Sequence, residues 1–146
     1  MALLAPDDQA QLRAEFDHMT RPVHLLLFTQ SLDCETCPQA RQILDELPLV
    51  SDRIVVEEVN FVLEPDRARQ YGVDRVPAVA IAYEGEGGLV DSRMRFLGAP
   101  SGYEFISIVQ AVLLAGGRAP HLSEASRQRL AAVDRPVTMQ VFTTPT

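Results

Sequence analysis

Val23-His24-Leu25-Leu26-Leu27-Phe28-Thr29 is followed by Gln30-Ser31-Leu32-Asp33, then by Cys34-Glu35-Thr36-Cys37, and then by the run from Pro38 to Leu47. The first segment is apolar and rich in strand formers, so it reads as a buried strand. The last reads as a helix from Glu35 onward, with Ala40, Ile43, Leu44 and Leu47 on one face and Pro38 in the first turn, where its missing N–H costs little. Between them lie the only two cysteines of the chain. A thiol where a helix begins meets the positive end of the helix dipole and unpaired N–H groups, and both favour the thiolate. A second thiol three residues on is within reach, so the pair is expected to cycle between dithiol and disulfide. Cys34 is then the accessible nucleophile and Cys37, one turn inside, the buried resolving thiol. Glu35 and Thr36 tune the pair, and the Glu35 carboxylate disfavours a neighbouring thiolate. That weakens acidification and makes the disulfide less oxidising. Two competing readings are an inert cysteine pair and half of a zinc site. A closed zinc site needs four ligands, so His18, His24 and His121 would have to converge on the cysteines.

The remaining composition narrows the setting. With 146 residues and an apolar share of 47%, the chain has room for one core and a fragment of a second. Its longest apolar runs fall far below the ~18 residues of a membrane span. Met1-Ala2-Leu3-Leu4-Ala5-Pro6-Asp7-Asp8 lacks the basic and apolar regions of a cleaved leader. The expected compartment is therefore the cytoplasm, where a close cysteine pair is more often catalytic or metal-binding than structural. A net charge of −7 argues against nucleic acid or an anionic membrane as partner. All 13 basic residues are Arg, which we read as a compositional bias without functional content.

Residues 7–19 carry Leu12, Phe16 and Met19 at helical spacing, ahead of the break at Thr20-Arg21-Pro22. Ile54–Phe61 reads as a second strand, Glu64–Tyr71 as a short helix stopped by Gly72, and Ala78–Tyr83 as a third strand. The glycine-rich Glu84-Gly85-Glu86-Gly87-Gly88 is a turn into a fourth strand near Met94–Leu97; it lacks the ending of a phosphate loop. Gly98-Ala99-Pro100-Ser101-Gly102 opens a helix expected to bury Phe105, Ile106, Val109, Val112 and Leu113. Tyr71, Tyr83 and Tyr103 read as packing residues. The order α-β-α-β-α-β-β-α implies an α/β unit over 1–115, with a central mixed sheet flanked by helices and an extra helix in front.

Residues 116–122 read as a linker, and 123–146 as the opening helix and strand of a second unit. The reason is a repeat: Arg135-Pro-Val-Thr-Met-Gln-Val-Phe-Thr143 matches Arg21-Pro-Val-His-Leu-Leu-Leu-Phe-Thr29 at five of nine positions. Leu130 and Val133 stand where Phe16 and Met19 stand in the first copy. The chain stops short of the place where a second cysteine pair would fall, so it reads as incomplete. Val137–Phe142, apolar on both faces and without partner strands, is expected to be disordered, to pair with another chain as a strand-mediated oligomer, or to lie against the first unit.

A second spot is Asp74-Arg75-Val76-Pro77-Ala78, a proline just before a buried strand and hence a place for a cis peptide bond. The alternative is a trans proline starting an edge strand.

With these residues in view, the chain resembles the protein disulfide oxidoreductases of archaea and bacteria, the glutaredoxin-like proteins with two thioredoxin-fold units in tandem. The resemblance rests on Cys34-Glu35-Thr36-Cys37, Asp74-Arg75-Val76-Pro77-Ala78, the stretch from Phe96-Leu97-Gly98 to Tyr103-Glu104-Phe105, and the terminal Val141-Phe142-Thr143-Thr144-Pro145-Thr146. Residues 98–117 are also similar to the N-terminal domain of the flavoprotein subunit of alkyl hydroperoxide reductase, whose first unit usually lacks the cysteines present here. These resemblances imply a thioredoxin-like fold and thiol–disulfide exchange with protein dithiols and disulfides. They further imply an upstream reductase and no cofactor or metal beyond the Cys34–Cys37 disulfide. They place the proline's cis bond against the cysteine loop, with Arg75, Val76 and Pro77 framing the substrate groove. The alternative they imply is a docking unit of a larger two-unit redox protein. Glutaredoxin proper has a different turn where this chain has Gly98–Gly102. Thioredoxin proper has a buried acid where this chain has Phe28, so another group or solvent must take the proton of Cys37.

Overall fold

The computed structural model describes residues 3–144; Met1 and Ala2 of the N-terminal reading and Pro145 and Thr146 of the terminal motif lie outside the described residues. Four strands form one sheet: β1 (Val23–Thr29), β2 (Ile54–Asn60), β3 (Ala78–Gly85) and β4 (Gly88–Leu97), in the order β2-β1-β3-β4. β1 runs parallel to β2 and antiparallel to β3, which pairs antiparallel with β4. The mixed sheet flanked by helices is thus the expected architecture. β1 is central because it is apolar on both faces, and six of its seven residues are buried.

The helices are α1 (Pro6–Phe16), α2 (Cys37–Leu44), α3 (Leu47–Val50), α4 (Pro65–Gln70), α5 (Tyr103–Ala115) and α6 (Glu124–Ala131). One face of the sheet, through Leu25, Leu27, Val79 and Ile81, packs with Ala40 and Leu44 of α2 and with Ile108, Val109 and Val112 of α5. Phe16 and Met19 close that core from the N-terminal side. The opposite face buries Leu26, Phe28, Ala78 and Ala80 under Ala68 of α4 and Tyr71. Among the described residues no helix is long and apolar enough to cross a membrane.

Several elements differ from the sequence reading, each for a local reason. α2 starts at Cys37 instead of Glu35 and stops at Leu44 instead of reaching Leu47. Pro38 has no N–H to close a turn onto the carbonyl of Cys34, and Pro48 opens the separate α3. β4 begins at Gly88, well before Met94, and leaves Glu86 and Gly87 as the hairpin turn. Its first half hid in the sequence because the register with β3 shifts between Ala80 and Ala82, and Arg93 adopts φ 66°. That bulge breaks the alternation a sequence reading depends on. In α5, Ile106 is 58% exposed while Ile108 is fully buried, so Ile106 does not belong to the core stripe. One residue after the partly buried Phe105, it is rotated ~100° around the helix. Tyr103, in the first turn of α5, is 75% exposed and belongs to neither core cluster, whereas Tyr71 is buried and Tyr83 stacks under the Arg21 guanidinium.

α6 is capped by Ser123, whose hydroxyl accepts from the Ser126 N–H at 3.1 Å, but it buries no residue. Leu130 and Val133, the counterparts of buried Phe16 and Met19, are exposed. Residues 136–144 form no strand and are exposed throughout.

Candidate active site

Cys34 and Cys37 form a disulfide, with Cα atoms 5.5 Å apart. Cys34 lies in the turn ahead of α2 and is half-buried; Cys37 is the first residue of the helix and only 4% exposed. The asymmetry follows from the fold. Asp33 takes φ 54° at the end of the loop leaving β1, a left-handed conformation that Asp tolerates better than most residues. The chain then turns Cys34 outward and drives Cys37 onto the buried side of the helix.

Sheet register shows what surrounds the sulfurs. Phe28 pairs with Ala78 across β1 and β3, so Pro77 stands at the end of β1 from which the cysteine loop departs. The Val76–Pro77 bond is cis. Thr29 pairs with Asn60, and the Phe61 N–H donates to the Thr29 carbonyl at 2.8 Å, bringing the loop after β2 to the same end. Leu97 pairs with Ala78, and the Gly98 N–H donates to the Pro77 carbonyl at 2.9 Å. The disulfide loop, the loop after β2, the cis-proline and the end of β4 therefore share one end of the sheet. Leu32, Val62, Leu63 and Leu97 are exposed there. The backbone N–H and carbonyl of Val76 have no hydrogen-bond partner among the described residues. An extended segment laid beside the disulfide would find apolar contacts and a free backbone edge.

Charge around the site is carried mostly by acids. Asp33 and Glu35 flank Cys34, both exposed and without an ion-pair or hydrogen-bond partner among the described residues. Arg75 is bound to its neighbour Asp74 through bonds of 2.8 and 3.1 Å. That pairing lowers the Asp74 carboxyl and raises the Arg75 guanidinium from their ordinary pKa values. Thr36 is the N-cap residue of α2, but its side chain makes no capping bond. Among the described residues no three His, Cys, Asp or Glu side chains gather as a metal would require. The His24 Nε2 lies 2.9 Å from Glu84 Oε1, and His121 is exposed.

One polar cluster here escaped the sequence reading. Thr29, at 6% exposure, donates its hydroxyl to Glu58 Oε1 at 2.7 Å. The other oxygen of Glu58 is bound by Arg41 of α2, which also holds Asp45 through its Nε at 2.9 Å. These contacts raise the Arg41 pKa, the Asp45 bond contributing most. A threonine ending an apolar strand and a glutamate in an edge strand carry no signal until register places them side by side.

No protein-family model matches the chain. It is 35% identical over 88 residues to a probable thioredoxin of Methanothermobacter thermautotrophicus, a match covering 60% of this chain and 92% of that relative. Among solved structures it superposes on the N-terminal domain of the alkyl hydroperoxide reductase AhpF of Enterococcus faecalis. That match has a TM-score of 0.78 at 25% identity, over 90% of this chain and 62% of that one. It also superposes on a protein disulfide oxidoreductase of Aeropyrum pernix with a TM-score of 0.72 at 21% identity, over 88% of this chain and 54% of that one.

Proposed function

The chain belongs to the thioredoxin family and is a thiol–disulfide oxidoreductase, and we propose that protein disulfides are its substrates, exchanged through Cys34 and Cys37. The observation that carries this reading is the disulfide itself, with its outer sulfur accessible and its inner sulfur buried beside a free backbone edge. In the reducing direction the Cys34 thiolate attacks a substrate disulfide. A Cys34–substrate bond forms, the substrate S–S bond breaks, and one substrate thiolate leaves. Cys37 then attacks the Cys34 sulfur, forming the Cys34–Cys37 disulfide and releasing the second substrate thiol. Two electrons have passed to the substrate, and an upstream reductase restores the dithiol.

In this proposal Val76 pairs with the extended substrate segment, Pro77 and Arg75 frame its groove, and Glu35 and Thr36 tune the sulfurs. Neither nucleic acid nor membrane is a partner, and the setting is the cytoplasm; the support is the acidic charge and the cysteine usage. Insulin reduction driven by dithiothreitol tests the reading. Cys34→Ser should abolish turnover, and Cys37→Ser should accumulate mixed disulfides visible on a non-reducing gel. Unchanged turnover in Cys34→Ser would sink it. The second reading, a docking unit of a larger redox protein, draws on the likeness to the reductase N-terminal domain. It gains ground if the intact protein shows a Cys34 alkylation profile of an ordinary free thiol and no insulin reduction.

A further inference from the structure

Resolution of a mixed disulfide requires Cys37 to lose a proton. The position that could have held a buried acid, Phe28, instead faces the opposite side of the sheet, where its ring packs 6.1 Å from that of Tyr71. With Cys37 only 4% exposed, a group on the α2 side is the alternative to solvent as the acceptor of that proton. Thr29 is the last residue of β1, and alternation along the strand puts it on the same face as Leu25 and Leu27, which pack against α2. β1 and β2 are parallel and joined through α2, so α2 runs back antiparallel to them. Arg41 of α2 reaches Glu58, and Glu58 pairs in register with Leu27. From that level Thr29 lies two residues further along the strand, ~6.6 Å. Cys37 lies one turn back along the helix, ~6 Å in the same direction. Both displacements run the same way, so Thr29 and Cys37 stand toward the same end of the sheet, on the face that α2 covers.

We propose that Thr29 and Glu58 form the proton path of Cys37, with Arg41 a positioning residue that holds the glutamate in place. The inference rests on the exchange activity proposed above and names the group that activates its second thiol. The Thr29 hydroxyl passes its proton to the Glu58 carboxylate and accepts the one leaving the Cys37 sulfur. The Cys37 thiolate then attacks the Cys34 sulfur, the bond from Cys34 to the substrate sulfur breaks, and the substrate leaves as thiolate. Glu58, whose side chain is 42% exposed, returns the proton to solvent. When the enzyme disulfide is reduced, the path runs backward. The charged group bonded to Glu58 is Arg41 of α2, which also holds Asp45, the C-cap residue of that helix. β1 brings only the Thr29 hydroxyl, and α3, the other helix against β2, carries no charge.

The test follows the reduced protein through reaction with Ellman's reagent by stopped flow, where attack by Cys34 and resolution by Cys37 each release one coloured thiolate. Glu58→Gln and Thr29→Val should each slow the second release at neutral pH by at least ~10-fold and move its midpoint to higher pH. Thr29→Ser should restore both rate and midpoint, and the double variant should be no slower than either single one. Circular dichroism and the first release, unaltered in all variants, separate a lost path from a lost fold. Absence of any fast first release in the native protein would instead indict the exchange activity. A native pH profile of the second release in Glu58→Gln, or rate losses that multiply in the double variant, would overturn the path.

Discussion

Cys34 stands between two carboxylates, Asp33 and Glu35, that have no partner among the described residues. Each raises the cost of a thiolate beside it, and a disulfide whose reduced form is less favoured as thiolate is the poorer oxidant. Glu35→Gln is expected to shift the alkylation midpoint of Cys34 to lower pH and to make the disulfide more oxidising. Iodoacetamide rates against pH and redox titration with glutathione measure the two; a shift in the opposite direction would contradict the charge argument. Asp91 is a second residue whose charge state is written into the fold. Two bonds from Arg95, at 2.6 and 2.8 Å, hold its carboxyl below the ordinary range, the hydrogen bonds from Arg95 contributing most. Because its folded pKa is depressed, its stabilisation is present above the unfolded value and is lost as pH falls through the folded one. Asp91→Asn should therefore cost roughly 1 kcal/mol at neutral pH, reduced by solvent screening of a partly exposed pair. The deficit should vanish in urea titrations performed in acid, well below pH ~4.

At the scale of the element, α5 separates residues that look alike in sequence. Ile106 and Ile108 sit two positions apart, one 58% exposed and the other at 0%. Ile108→Ala leaves a cavity against β3 and should cost about 2–5 kcal/mol, while Ile106→Ala should fall within about 0.5 kcal/mol of native in denaturant melts. Equal losses would show that the helix is rotated from the arrangement described. Gly72 ends α4 with φ +63° and open space around its missing side chain. Gly72→Ala should thus pay only the left-handed backbone penalty, on the order of 1 kcal/mol, with no steric addition.

For the whole molecule, the division between a packed body and an exposed C-terminal stretch matters most. Among the described residues the apolar core lies entirely before Gly116, and none from 119 to 144 is buried. Removing residues 123–146 should leave the melting temperature within ~2 °C and insulin reduction unchanged. The same truncation should reduce any self-association of the chain, because Val137, Met139, Val141 and Phe142 present apolar side chains at 67–90% exposure. A large fall in melting temperature would mean that the stretch packs on the body in solution.

Much of this was legible from residues alone because it depends on local order in the chain. The run Val23–Thr29 is a strand whatever surrounds it, and Cys34 and Cys37 are three residues apart in any fold. Pro77 ahead of an apolar strand marks a turn by its own ring chemistry. The first half of β4 was not legible, since a bulge at Arg93 hides its alternation, and neither was the choice of Ile108 over Ile106, which depends on the rotation of α5 against the sheet. Least legible was the meeting of Thr29, Glu58 and Arg41. Their separations along the chain are set by loops, and only the parallel pairing of β1 with β2 under α2 brings a hydroxyl, a carboxylate and a guanidinium within bonding distance. Local sequence thus specified that two sulfurs fall within bonding reach, and the packing of the sheet determined which groups stand beside them, because hydrogen bonds and burial act through space and not along the chain.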